Sequence, residues 1–150
     1  MTQRKLLDLA TPRAAFEHAI DSHEQVLGEF FLAKFLGFRV TYGHENQHET
    51  CIVEFDAHEF LQNPGGAVQG GVIATALDVS MGHLIQHLQG SAATVDLSVQ
   101  YLRAVKQGRV RCTARVTHRG ARLWFMNAVA TDESDEKLAT ATATFALAKT

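Results

Sequence analysis

The stretch that decides the architecture is Gln69-Gly70-Gly71-Val72-Ile73-Ala74-Thr75-Ala76-Leu77-Asp78-Val79-Ser80-Met81-Gly82-His83-Leu84-Ile85-Gln86-His87-Leu88. Ile73, Leu77, Leu84 and Leu88 recur at helical spacing, and Val72, Met81 and Ile85 beside them carry the apolar surface around much of the circumference. A helix that is apolar on most sides has to be wrapped by other elements. The spacing predicts one long central helix ending near Leu88, and the breaker-rich Asn63-Pro64-Gly65-Gly66 predicts the loop that delivers the chain to it.

Beyond Gly90 the period changes to two. Apolar and polar residues alternate from Thr94 to Tyr101, and Arg109 to Val116 repeats the alternation with Arg109, Arg111 and Arg115 on its wet face. The link His118-Arg119-Gly120-Ala121 leads to a strand from Arg122 to Thr131, and Asp132-Glu133-Ser134-Asp135 leads to a last strand from Lys137 to Leu147. Links this short exclude parallel crossovers, so these strands form an antiparallel meander. In the last strand Ala139, Ala141 and Ala143 alternate with Thr140, Thr142 and Thr144, which leaves one face small enough for a helix to approach closely.

Toward the N-terminus, Phe38–Tyr42 and Thr50–Phe55 read as two strands of a hairpin joined by a polar run. Further upstream, Thr11 to about Leu27 suits an amphipathic helix, with Thr11 as cap and Pro12 near the start. Phe30, Phe31, Phe35 and Phe38 are core residues or the lining of an apolar pocket. The whole reads as an α+β chain, a single domain over residues 1–150 with residues 1–35 as a helical extension, in which one antiparallel sheet wraps a long central α-helix.

Composition narrows the function. A length of 150 residues, 46% hydrophobic and 20% charged, is that of one globular domain able to bury a core. A net charge of -2 gives no basic field for nucleic acid, and FFLAKFLGF is too short and too interrupted to insert in a membrane. Cys51 and Cys112 stand in no CxxC spacing and read as reduced core thiols of a cytoplasmic protein. His83 and His87 have the four-residue spacing of a helical metal pair, but no third ligand accompanies them, and no metal is expected. His44 and His48 read as exposed turn residues.

The chemistry concentrates at the start of the central helix. Gly70 and Gly71 leave backbone N–H groups uncovered where the helix dipole favours negative charge, as on a polarised carbonyl oxygen. Asp78 shares its helix face with Gly71, Ala74, Thr75 and Gly82, so the carboxylate stands in a slot among small neighbours. Eight residues separate Gly70 from Asp78, about 12 Å along a helix. One bond cannot be reached by both groups of one chain, and a homodimer with shared sites is expected.

Gln69-Gly-Gly-Val-Ile-Ala-Thr-Ala-Leu-Asp78-Val-Ser-Met-Gly82, Thr94-Val-Asp-Leu-Ser-Val-Gln-Tyr101-Leu-Arg103 and Gly120-Ala-Arg122-Leu together resemble the PaaI-like acyl-CoA thioesterases of the hotdog fold. The resemblance covers residues 60 to 147 and implies hydrolysis of a medium- or long-chain fatty, or aromatic, acyl-CoA. It assigns Asp78 as nucleophile or general base, the Gly70 amide as oxyanion donor, and Asn63 as the loop residue that orients water or the acyl group. Coenzyme A is then part of the substrate, and no separate cofactor is implied. A dimer of dimers is the expected assembly. Two positions depart from the pattern: Gln69 stands where many members carry His, and Ala104 follows Tyr101-Leu102-Arg103 where relatives often carry Pro. Gln69, Gly71 and Gly82 border the substrate on this reading, and Arg103, Arg119 and Arg122 are the candidate donors to coenzyme A phosphates. Two other readings are a hotdog hydratase or dehydratase, which needs a loop His where Asn63 stands, and an acyl-CoA-binding protein without turnover.

Overall fold

The computed structural model describes residues 7–149. A helix α1 (Ala10–Ser22) and a short helix α2 (Phe31–Phe35) precede the hairpin strands β1 (Arg39–Glu45) and β2 (His48–Asp56). A single 3-10 turn, Glu59–Leu61, leads into the helix α3 (Gly70–Leu88). Four strands follow, β3 (Ala92–Tyr101), β4 (Arg109–Arg119), β5 (Leu123–Thr131) and β6 (Lys137–Leu147). They join the hairpin in one six-stranded antiparallel sheet of order β1-β2-β4-β5-β6-β3. The sheet curls around α3 in the hotdog arrangement.

The central helix runs as its periodicity predicts. Ile73, Ala76, Leu77, Met81, Leu84 and Ile85 are buried against the inner face of the sheet, which presents Val53, Phe55, Val110, Cys112, Met126 and Phe145. Ala139, Ala141 and Ala143 also lie on that inner face, so α3 rests on a strip without bulk. Fully burying a Leu, Ile, Phe or Met side chain contributes roughly 1.5–3 kcal/mol, and this interface holds many of them. Burial pushes the Cys51 thiol up to about 12 and raises that of Cys112 further, so both are free thiols with little nucleophilic character.

Several boundaries differ from the sequence expectation. α1 starts at Ala10 with Leu9 at the cap position, so Thr11 lies inside the helix; the Asp8 Oδ1 accepts the Ala10 N–H at 2.9 Å. The helix stops at Ser22 and does not reach Leu27. The Ser22 hydroxyl donates to the His18 carbonyl at 2.6 Å, and the His23 backbone and ring both meet the Ala19 carbonyl, which closes the last turn. In the hairpin the strands extend into the polar run, and the reversal is made by Asn46 and Gln47, at φ 50° and 66°. Phe38 is core, whereas Phe31 packs with Phe16 and Phe35 in an aromatic cluster between the two short helices.

The alternation in β3 conceals a fault. Thr94 pairs with Phe145 and Leu97 with Ala143, both inner-face partners, but the register shifts between Thr94 and Asp96. Val95 is the extra residue of a β-bulge and is 60% exposed. The bulge reverses the parity of the strand, so Thr94 turns toward α3 together with Leu97, Val99 and Tyr101.

The N-terminal segment is fastened to α3 by a buried histidine. The Gly28 N–H donates to His83 Nε2 at 2.9 Å, with Phe30 beside the ring. Glu29 and Lys34 on the same segment pair with each other, and His87, one turn along, stacks on Tyr42. Burial lowers the His83 imidazole from its ordinary 6.5, because the charged form is poorly solvated there. Protonation removes the acceptor for Gly28. Between the lowered value and 6.5 the unfolded chain binds more protons than the folded one, so stability rises with pH through that window and is fully present above it. We expect the urea midpoint to be lower at pH 5 than at pH 7.5. His83→Gln keeps an acceptor that does not titrate, so the difference should shrink; an equal difference in both proteins removes His83 as its cause.

Candidate active site

The start of α3 is held by a loop that hydrogen-bonds to itself. Asn63 Oδ1 accepts the Gly65 N–H at 2.9 Å, the Asn63 carbonyl accepts the Gly66 N–H at 2.9 Å, and the Asn63 N–H donates to Ala67. Val68 donates to the Val105 carbonyl and Gln69 to the Leu61 carbonyl, each at 2.8 Å, which ties both flanks of the turn to the body. Asn63 therefore shapes the loop, with its side-chain oxygen committed inside it.

Gln69 occupies the cap position, is exposed, and makes no side-chain bond to the helix amides. The Gly70 and Gly71 N–H groups precede the first intrahelical acceptors and have no partner among the described residues. They combine unmet donors with the positive end of a 19-residue helix. The two glycines differ in surroundings. A Cβ on Gly70 would stand 3.1 Å from Tyr101 Cζ and Oη, whereas one on Gly71 meets nothing within 4 Å. Tyr101 approaches this closely because its hydroxyl donates to the Gly70 carbonyl at 2.6 Å.

Asp78 lies two turns further on, half-buried, on the face it shares with Gly71, Ala74, Thr75 and Gly82. Thr94 donates to Asp78 Oδ1 at 2.8 Å. Among the described residues Oδ2 has no partner and no cation pairs with the carboxylate, so it is oriented but not neutralised. Strand β3 thus touches both chemical elements of the helix, Tyr101 at the glycine pair and Thr94 at the acid. Thr94 and Tyr101 were not singled out as site residues from sequence. The uninterrupted alternation of apolar and polar types masks the bulge that turns Thr94 inward, and no local signal marks the Tyr101 contact.

The arginines are dispersed. Arg103 pairs with Glu136 at 3.3 Å. Arg119 pairs with Glu49 at 2.7 Å and lies over the Trp124 ring at 5.0 Å. Arg122 has no ion-pair partner among the described residues and lines a groove of about 870 Å³ with Gln89, Gly90, Ser91, Leu147 and Lys149. His58 is exposed and stacks on Phe60. Among the described residues no group of three or more His, Cys, Asp or Glu side chains is arranged to hold a metal ion, and no helix is long and apolar enough to cross a membrane.

Residues 65–139 match the model of the thioesterase superfamily. Among solved structures, a conserved protein of Pseudomonas aeruginosa is 29% identical, with 77% of this chain and 91% of that chain covered and a TM-score of 0.70. A Bacillus halodurans protein solved with CoA superposes with a TM-score of 0.78 at 21% identity, over 95% of this chain and 91% of its own. A phenylacetic acid degradation-related protein of Ralstonia eutropha JMP134 gives a TM-score of 0.71 at 24% identity, over 89% of this chain and 99% of that one. The latter two likenesses are of fold. No curated protein matches this sequence.

The contrast between the glycines yields a stability test. Gly71→Ala adds a methyl in open space and should leave stability unchanged or raise it by up to ~1 kcal/mol through helix propensity. Gly70→Ala displaces the Tyr101 ring and its hydrogen bond, and should be less stable than Gly71→Ala by about 1 kcal/mol in chemical denaturation. In a Tyr101→Ala background the gap should close; if it persists there, the Tyr101 contact does not set it.

Proposed function

Because the chain belongs to the thioesterase superfamily, we propose that it hydrolyses the thioester of an acyl-CoA to the free acid and coenzyme A. One observation carries this reading: a half-buried carboxylate, Asp78, oriented by Thr94 and paired with no cation, on the helix whose first amides are uncapped. The Bacillus halodurans neighbour, solved with CoA, supports a ligand of that class.

The site is shared between two copies. Eight residues of unbroken helix keep Gly70 and Asp78 of one chain about 12 Å apart. Strand β3 is a ten-residue edge strand with Val95 and Tyr101 exposed, and Leu102 follows it exposed on the same edge. Antiparallel pairing of two such edges about a two-fold axis sets the Tyr101 end of one chain against the Thr94 end of the other. Since Tyr101 marks Gly70 and Thr94 marks Asp78, the glycine amides of one copy then face Asp78 of the partner subunit.

In the reaction the thioester carbonyl oxygen accepts the Gly70 N–H, with Gly71 beside it, and the amides and helix dipole stabilise the negative charge that develops there. Asp78 of the partner subunit attacks the carbonyl carbon or removes a proton from the water that does. A C–O bond forms, the C–S bond breaks, and the coenzyme A thiolate leaves without needing a strong general acid. Gln69 and the small residues Gly71 and Gly82 border the reacting group, and Asn63 keeps the loop in place. Arg122 and Lys149 give the 870 Å³ groove the positive charge suited to the phosphates of coenzyme A. Arg103 and Arg119, already paired with acids, assist from the periphery.

The test is release of free thiol from acyl-CoAs of short, medium, long and aromatic chains. The unaltered protein should turn over at least one class and sediment as a dimer or larger. Asp78→Asn, folded to the same thermal midpoint, should lower kcat by about 10²–10⁴-fold. Binding without turnover in the unaltered protein makes this an acyl-CoA-binding protein instead, and full activity as a monomer removes the shared site.

A further inference from the structure

Resting on the thioesterase reading above, we infer that Tyr101 is a positioning residue for the reaction. Its hydroxyl fixes the Gly70–Gly71 peptide, which makes the Gly71 N–H a second, directed donor to the oxygen of the reacting carbonyl.

The Tyr101 hydroxyl donates to the Gly70 carbonyl at 2.6 Å. That carbonyl and the Gly71 N–H belong to one planar peptide unit and point in opposite directions, so a bond that holds the oxygen also aims the hydrogen. A peptide whose oxygen accepts a hydrogen bond is more strongly polarised, and its N–H is a better donor in consequence. Neither glycine has a side chain to restrain the unit, and Gln69 at the cap position makes no side-chain bond to the helix start. A Cβ on Gly71 would meet nothing within 4 Å, which leaves the approach to this glycine open.

The tyrosine is itself held firmly. Tyr101 pairs with Ala139 at the end of the ladder between β3 and β6, and the Leu102 and Arg103 N–H groups both donate to the Leu138 carbonyl. Further along, the Val105 carbonyl accepts the Val68 N–H from the loop that enters α3. The strand end is thus tied both to the sheet and to the approach to the helix, and the side chain reaches Gly70 from a fixed base. The hydroxyl, more than the ring, does the aiming. The bond is exposed, so water can replace the hydroxyl when it is removed. Water satisfies the carbonyl without fixing its direction, whereas phenylalanine keeps the ring against Gly70.

The experiment compares Tyr101→Phe with the unaltered protein on the acyl-CoA it turns over best, once both are shown to melt and sediment alike. kcat should fall about tenfold with KM changed by less than about twofold, because a donor to the developing oxyanion counts in the transition state. Replacing Tyr101 by 4-aminophenylalanine, which keeps the ring and restores an N–H donor, should recover most of that loss. An S-alkyl-CoA thioether, which has no carbonyl, should bind both proteins equally. A coenzyme A trifluoromethyl ketone, which hydrates to a stable tetrahedral mimic, should bind Tyr101→Phe about tenfold more weakly. A merely structural tyrosine weakens the two ligands together or leaves both unchanged. Either pattern, or an unchanged kcat, overturns the positioning role and leaves the thioesterase reading standing. Hydrolysis of no acyl-CoA by the unaltered protein overturns both.

Discussion

Ala139, Ala141 and Ala143 give the inner face of β6 no bulk, and α3 settles onto that strip with its apolar surface against β2, β4 and β5. A methyl on Gly82 would stand 3.4 Å from the Phe145 ring, so helix and sheet are close-packed here as well. This seating depth governs the site. It brings the helix within hydrogen-bonding distance of the edge strand beyond β6, where Tyr101 meets Gly70 and Thr94 meets Asp78. A bulkier β6 would lift α3 from β3 and separate the carboxylate from the hydroxyl that orients it. Packing far from the chemistry therefore sets its geometry.

How much of this was legible in the sequence follows from the range of each interaction. The helix from Gly70 to Leu88 and the strand from Lys137 to Leu147 have the predicted ends, because periodicity and breakers are local signals. The end of α1 is missed because Ser22 and His23 close the helix with their own side chains, and composition alone does not forbid continuing to Leu27. The fault in β3 is missed for another reason. Val95, Leu97, Val99 and Tyr101 alternate correctly as letters, yet the pairing with β6 is set by long-range register. In the candidate site, Asp78 and the glycine pair stand out because a carboxylate and bare amides are unusual on a buried helix. Their partners Thr94 and Tyr101 are ordinary strand residues until the fold brings them across.

Charge is partitioned over the molecule. On the outer face of β1, β2 and β4, Arg39, Arg111 and Arg115 pair with Asp56, Glu54 and Glu45, and beyond the β4 bulge Arg119 pairs with Glu49 on the face it shares with Trp124. Such exposed pairs contribute little stability individually, about 0–1 kcal/mol each. They do neutralise one another, which leaves little net charge among them. Arg111 and Arg115 on the wet face of β4 are thus neutralised, whereas Arg122 and Lys149, at the end of α3 away from its glycines, have no ion-pair partner among the described residues.

The bulge at Val95 has a consequence for the company the protein keeps. A long, uncovered edge strand ordinarily invites any extended segment to add to it, and repeated addition leads to fibres. At Val95 the row of backbone donors and acceptors is interrupted, so a flat foreign strand finds no continuous match. One surplus residue thereby works against open-ended growth along this edge.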